Sequence, residues 1–220
     1  MSLKVYLETA HYDKQHRLIA VHREQSRSFV KAFLQLIYCL TSNLSQNIID
    51  IDNTSRSIDD ERDASLRVTH PGLSAGDDSA GSYIQLTAGF SAGVFSVYAD
   101  DCGIVVGTSS TAVAVADDNL VAPIAHGSSA GQFIHYGCWG LNYTTGASSA
   151  SFDVERIFRN DSGGSIVVAE IGMYTRAFLD NVPSESEAFG FCILRDVLGA
   201  TVTVLNGEYL KVKYTITVSN

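Results

Sequence analysis

The chain has 220 residues, 45% of them apolar and only 18% charged, enough for one large β domain or one with a smaller N-terminal piece. Its formal net charge of −9 argues against a phosphate-backbone partner, which needs a basic face, and against docking on anionic lipid. The opening MSLKVYLETAHYDK lacks the pattern of an export leader, and no window reaches the roughly 18 apolar residues of a membrane span, so neither secretion nor a membrane is expected.

Leu3, Val5 and Leu7 alternate with Lys4, Tyr6 and Glu8, the signature of a half-buried strand. A polar turn over 11–16 leads to Leu18, Ile19, Ala20 and Val21, a second strand that pairs with the first. The stretch 29–43 then changes period. Phe29, Phe33, Leu36, Ile37 and Leu40 share one helical face, Val30, Leu34 and Tyr38 flank it, and Ser26 or Ser28 can cap the start. Such a helix is apolar almost all round yet too short for a membrane, so protein must cover it. It is either a core helix packed on the sheet or a homo-oligomer contact made by Phe29, Phe33, Leu36, Ile37 and Leu40.

Periodicity fades from 41 to 82, and β signals recur from 83 onward: 83–87, 94–99, 104–107, 113–115 after a turn at 108–111, 132–139, 189–194 and a final pair over 200–218. The division expected is a hairpin, helix and long loop over 1–82, followed by a β-sandwich over 83–220. Within 151–174, the turn formers Asn160, Asp161, Ser162, Gly163 and Gly164 separate two apolar runs and predict a long hairpin. Arg156 and Glu170 interrupt those runs and are predicted to face each other as a cross-strand register pair. Arg195 and Asp196 are read similarly, at an oligomer contact. In the last pair, a three-residue loop of Leu205, Asn206 and Gly207 puts Val202 opposite Leu210, with Gly207 in the left-handed position. The fold class is therefore mainly β, an antiparallel β-sandwich of jelly-roll-like form with one short apolar N-terminal helix.

Chemistry is sparse. There is no G-x-S-x-G elbow, phosphate-cradling G-x-x-x-x-G-K-[ST], G-x-G-x-x-G or H-E-x-x-H, so no enzymatic activity, cofactor or metal is expected. Cys39, Cys102, Cys138 and Cys192 lie far apart among apolar or small residues and read as buried thiols, with an inter-strand disulfide as the alternative. Asp50, Asp52 and Asn53, or Asp117, Asp118 and Asn119, have the ligand types that calcium takes, but such acids ordinarily form turns. Tyr136, Trp139 and Tyr143 offer an aromatic platform for a sugar, although Trp139 lies in an apolar strand-like run that suggests a core position.

Three segments carry a resemblance: GIVVGTSSTAVAVADDNLVAPIAHGSSAGQFIHYG at 103–137, VERIFRNDSGGSIVVAEIGMY at 154–174 and ILRDVLGATVTVLNGEYLKVKYTITVS at 193–219. Together with SRSFVKAFLQLIY at 26–38, their cadence resembles that of uncharacterised virion structural proteins of tailed bacteriophages. The resemblance implies a multi-copy component of the tail, neck or capsid exterior, made in the host cytoplasm and partnered by itself and other virion proteins. A receptor- or carbohydrate-binding module of a phage adhesion device is the alternative.

Overall fold

A computed structural model describes residues 2–26, 28–42, 46–58, 100–179 and 187–220. The strands predicted at 83–87 and 94–99 lie outside the described residues, as do 59–82 of the segment without periodicity.

The N-terminal alternation produces the expected hairpin of β1 (Ser2–Tyr12) and β2 (Leu18–Ser26), paired antiparallel with Leu7 opposite Glu24. Asp13 closes its turn, its Oδ1 accepting from the amides of Gln15 and Arg17 at 2.8 and 2.9 Å. Helix α1 (Lys31–Ser42) follows, then β3 (Gln46–Ile49), β4 (Ser55–Ile58), β5 (Gly103–Gly107), β6 (Ile134–Thr145), β7 (Ser149–Arg159), β8 (Ile166–Leu179), β9 (Glu187–Val204) and β10 (Tyr209–Ser219). The predicted strand at 113–115 is irregular chain.

The strands form a five-stranded sheet in the order β2-β1-β10-β7-β6, a three-stranded sheet β5-β8-β9 and the small hairpin β3-β4, with antiparallel pairing throughout. Val5, Leu7, Val154, Phe158, Leu210 and Val212 from the first sheet share a core with Ile104, Val106, Ile171, Met173, Phe191 and Leu194 from the second. The protein is thus mainly β, and a sandwich describes it coarsely. Because β1 sits between β2 and β10, the N-terminal hairpin is an integral part of the larger sheet.

Both predicted long-range hairpins fail in the same way. β7 pairs with β10 and β6, while β8 pairs with β5 and β9, so 160–165 crosses from one sheet to the other. The link from β9 to β10 crosses back beside it. Val202 therefore faces Val168, and Leu210 faces Phe158 and His11. The turn chemistry is as read: Gly207 has φ 84°, and the Glu208 amide donates to the Leu205 carbonyl at 3.0 Å. What differs is the strand each turn leads to. Asn160, fully buried, laces the two crossovers together. Its Nδ2 donates to the carbonyls of Gly164 and Val204 at 2.8 and 2.7 Å, its own amide donates to Glu208 O at 3.0 Å, and its carbonyl accepts from the Gly207 amide.

The helix forms where its period predicts, but Ser28 does not cap it. The chain at 28–30 instead runs along β9, with Arg195 N donating to Ser28 O at 3.1 Å and Val30 N donating to Ile193 O at 3.2 Å. The face read as an oligomer contact points into the protein: Leu36 is buried, and Phe29 and Phe33 pack against the core with their rings 4.3 Å apart. Leu36 therefore cannot be a subunit contact. Ile37 is partly exposed, the Leu40 side chain lies outside the described residues, and the flanking Leu34 is 67% exposed.

The β3-β4 hairpin was hidden in the stretch without periodicity because a side chain, rather than an apolar pattern, organises it. Buried Asp50 accepts from the amides of Asp52 and Thr54 at 3.0 and 2.8 Å and from Arg56 Nε at 2.7 Å. Its carboxylate is thus occupied by the turn itself.

Asn160→Ala would leave the carbonyls of Gly164 and Val204 without this donor inside the protein. We expect a loss of about 1–3 kcal/mol in unfolding free energy, read from urea denaturation, with the denaturant slope unchanged.

Candidate functional site

Two constellations of side chains stand out, one buried and one open. The buried one lies on β8. Ile171 and Met173 face the shared core, while Glu170, Gly172 and Tyr174 face the segment 119–122. Glu170 accepts from the amides of Val121 and Ala122 at 3.2 and 2.7 Å. The hydroxyl of Tyr174 accepts from the Leu120 amide at 2.9 Å and donates to Asn119 Oδ1. Cover on both faces explains why β8 reads as an almost continuous apolar run.

Arg195, fully buried on β9, completes this group. Its Nε and Nη2 each lie 2.9 Å from Glu170 Oε2, its Nη1 donates to Asp117 Oδ2 at 2.7 Å, and its Nη2 donates to Thr111 O at 2.8 Å. Burial works against the Arg195 charge, but the hydrogen bonds it donates to Asp117 and Glu170 outweigh it and hold the group protonated. A Cβ on Gly107 would come within 2.6 Å of both Ala122 O and Glu170 Oε1, so glycine is what lets the carboxylate lie there.

The predicted pairing of Arg156 with Glu170 is therefore wrong. Glu170 lies opposite Gly107 and Val197, and Arg156 lies opposite Cys138 and Val212 in the other sheet. Arg156 is buried as well, and it ties the sheets together: Nη1 donates to Ile104 O at 2.9 Å and Nε to Tyr136 O at 2.8 Å. Arg195 and Asp196 also turn inward, so neither is an oligomer contact. Asp196 accepts from the Tyr214 hydroxyl at 2.9 Å, and burial lifts its pKa above the ordinary 3.8 against that bond. Asp117 and Asn119 are engaged as described, and no group of three or more His, Cys, Asp or Glu side chains suited to a metal occurs among the described residues. Cys102, Cys138 and Cys192 are buried, and none of them is in a disulfide among the described residues.

The open constellation lies on the outer face of the five-stranded sheet. The pleat that sends Val154, Arg156, Phe158, Leu210 and Val212 inward sends Glu155, Ile157, Tyr209 and Lys211 outward. Register then brings distant aromatics together: Tyr12 lies opposite Tyr209, and Trp139 opposite Glu155. A bulge in β6 between His135 and Cys138 places Tyr136 and Gly137 beside Trp139. The result is a cleft of about 690 Å³ walled by Tyr12, His16, Tyr136, Trp139 and Tyr209, with Glu155 and Lys211 as its polar partners. Lys211 Nζ sits 3.2 Å from Glu155 Oε2. Burial opposes the Lys211 charge, yet the Glu155 hydrogen bond and charge prevail and raise its pKa above the ordinary lysine value.

Trp139 is 48% exposed, so its expected core position is overturned: in β6 it takes the outward half of the alternation, while Cys138 beside it takes the inward half. Its indole lies over Gly137, where a Cβ would approach the ring within 2.9 Å. Of the three aromatics proposed as a sugar platform, Tyr136 and Trp139 line the cleft, whereas Tyr143 is exposed farther along β6 and does not. Tyr12, His16 and Tyr209 were missed because only the β1-β10 pairing, between opposite ends of the sequence, brings them there. His16 stacks on Tyr209 at 4.4 Å.

No family model, curated protein or solved structure matches this chain.

Removing the Glu170 carboxylate strands a buried guanidinium and two amides. Glu170→Ala should cost about 3–5 kcal/mol in denaturant unfolding, with hydrogen exchange at Val121 and Ala122 accelerated more than in β10. Asp196 carries a sign that can be tested separately. Its folded pKa is raised, so its contribution to stability is complete below the unfolded value and is lost as pH rises through the folded one. Asp196→Asn should therefore match the wild-type protein in acid and become progressively more stable than it towards neutral pH, as read from thermal melts across that range.

Proposed function

We propose that the chain is a non-enzymatic structural protein of a tailed-bacteriophage virion. It works in many copies in the tail, neck or capsid exterior and contacts itself and other virion proteins. A jelly-roll-like sandwich belongs to this reading, as a rigid body that presents a repeated surface.

Two lines of support meet here. The cadence of 103–137, 154–174 and 193–219 resembles that of such proteins, and one observation, the state of β2, carries the self-association. β2 is the edge of the five-stranded sheet, with no strand beyond it among the described residues, and Leu18, Ile19 and Val21 on it are 55%, 52% and 52% exposed. A nine-residue edge strand with apolar side chains open to water is a template for pairing with another chain, which monomeric proteins usually blunt with charge, proline or a covering element. Here the blunting is confined to its second half, where His22, Arg23 and Glu24 sit. Repetition of one such contact builds a ring if the rotation closes and a filament if it does not.

Light scattering with negative-stain imaging should show a discrete ring or larger assembly. The double substitution Ile19→Lys, Val21→Lys should reduce it to monomers without lowering the melting temperature, because both side chains are already half exposed. A wild-type chain that is monomeric at every concentration would count against this reading.

A further inference from the structure

The assembly reading makes no use of the aromatic cleft, which lies on the sheet's face rather than at its β2 edge. We propose that this cleft is a binding site for a neutral pyranose sugar, with Trp139 as the stacking platform.

Three observations lead there. The first is the shape and lining. At about 690 Å³ the cleft is within the size range of small-ligand sites, and five aromatic rings wall it, with Ile157 the one aliphatic side chain among them. A pyranose whose hydroxyls are mostly equatorial carries its hydrogens on the axial positions, so a face of the ring is rich in polarised C–H groups. An aromatic ring, negative on its face, attracts such a surface, and a half-exposed indole presents a large one.

The second observation is preorganisation. The indole of Trp139 is set down over Gly137, at a bulge whose Tyr136 carbonyl is held by the buried Arg156 Nε at 2.8 Å. The platform is therefore mounted on a strand whose backbone is anchored from below, so little ordering is left for a ligand to impose.

The third is charge. Glu155 and Lys211 are 3.2 Å apart and neutralise each other, and Arg156, which also borders the cleft, is fully buried with its guanidinium donated to the Tyr136 and Ile104 carbonyls, so the cleft offers an acceptor and a donor side by side. A sugar diol both donates and accepts, and two neighbouring hydroxyls can bridge such a pair. A charged ligand would have to break it. A nucleobase would also stack, but its phosphate backbone is disfavoured by the net charge of −9.

Trp139 is the one tryptophan in the chain, so its emission reports this site alone. The experiment is a printed array of neutral and acidic glycans probed with the labelled full-length protein. Fluorescence titration with the free form of each retained sugar follows. We expect retention of neutral glycans, a saturable change in Trp139 emission, and loss of at least tenfold in retention for Trp139→Ala. Gly137→Ala, which displaces the indole without removing it, and Lys211→Met should each weaken binding while leaving the melting temperature and the assembly state unchanged. Retention of acidic glycans only would overturn the neutral assignment. Failure to retain any glycan, or retention indifferent to Trp139→Ala, would overturn the site itself. So would an emission shift that follows self-association in the absence of sugar, since the cleft would then be a subunit contact.

Discussion

The contact between Glu170 and Arg195 is the constraint on which the three-stranded sheet depends. Two opposite charges taken out of water are costly unless every donor and lone pair is used, and here nearly all are. The carboxylate holds the amides of Val121 and Ala122, and the guanidinium holds the Thr111 carbonyl and the Asp117 carboxylate. Together they fasten 111–122, a stretch with hardly any ladder hydrogen bonds of its own, across the outer face of β8. That cover lets β8 be buried on both faces from Val168 to Thr175. It also turns a small sheet into a wall that can be packed from two sides.

Arg156 plays the corresponding part between the sheets. It projects from β7 in the larger sheet, and its guanidinium reaches the Ile104 carbonyl on β5 in the smaller one. The same side chain holds the Tyr136 carbonyl, so the joint between layers and the bulge beneath the aromatic cleft share one anchor. Architecture and surface are coupled through this one residue.

Much of this was legible locally and little of it globally. Alternation identified β1 and β2 and their pairing, the helical period found α1, and the turn formers at 160–164 and 205–207 mark real bends. A turn-forming cluster specifies that the chain reverses, however, and not whether the returning strand joins the same sheet or the opposite one. That choice rests on Asn160, whose amide bonds across two loops far apart in sequence. Charges inside apolar runs were noticed at 156, 170 and 195, but the eye gives them nearby partners. Their true partners are remote in sequence: Glu170 and Arg195 hold each other and the stretch 111–122, and Arg156 holds carbonyls on β5 and β6, so no local pattern reveals them. The cleft was half visible for the same reason: Tyr136 and Trp139 are neighbours on β6, whereas Tyr12 and Tyr209 meet only through the register of β1 with β10.

That register also governs the order of events in folding. The hairpins β1-β2 and β6-β7 close over short loops, but the larger sheet is complete only when β10 slides between β1 and β7 and pairs along both, from Ser2 against Ser219 to Tyr209 against Arg159. Contacts of such separation in sequence carry a heavy loop-closure entropy, and chains dominated by them fold slowly. Until the insertion is made, two further strand edges stand open beside the apolar β2. A chain in which β10 has not yet been inserted therefore exposes the unpaired edges of β1, β7 and β2, a state whose fate is set by how dilute or how well chaperoned the chain is.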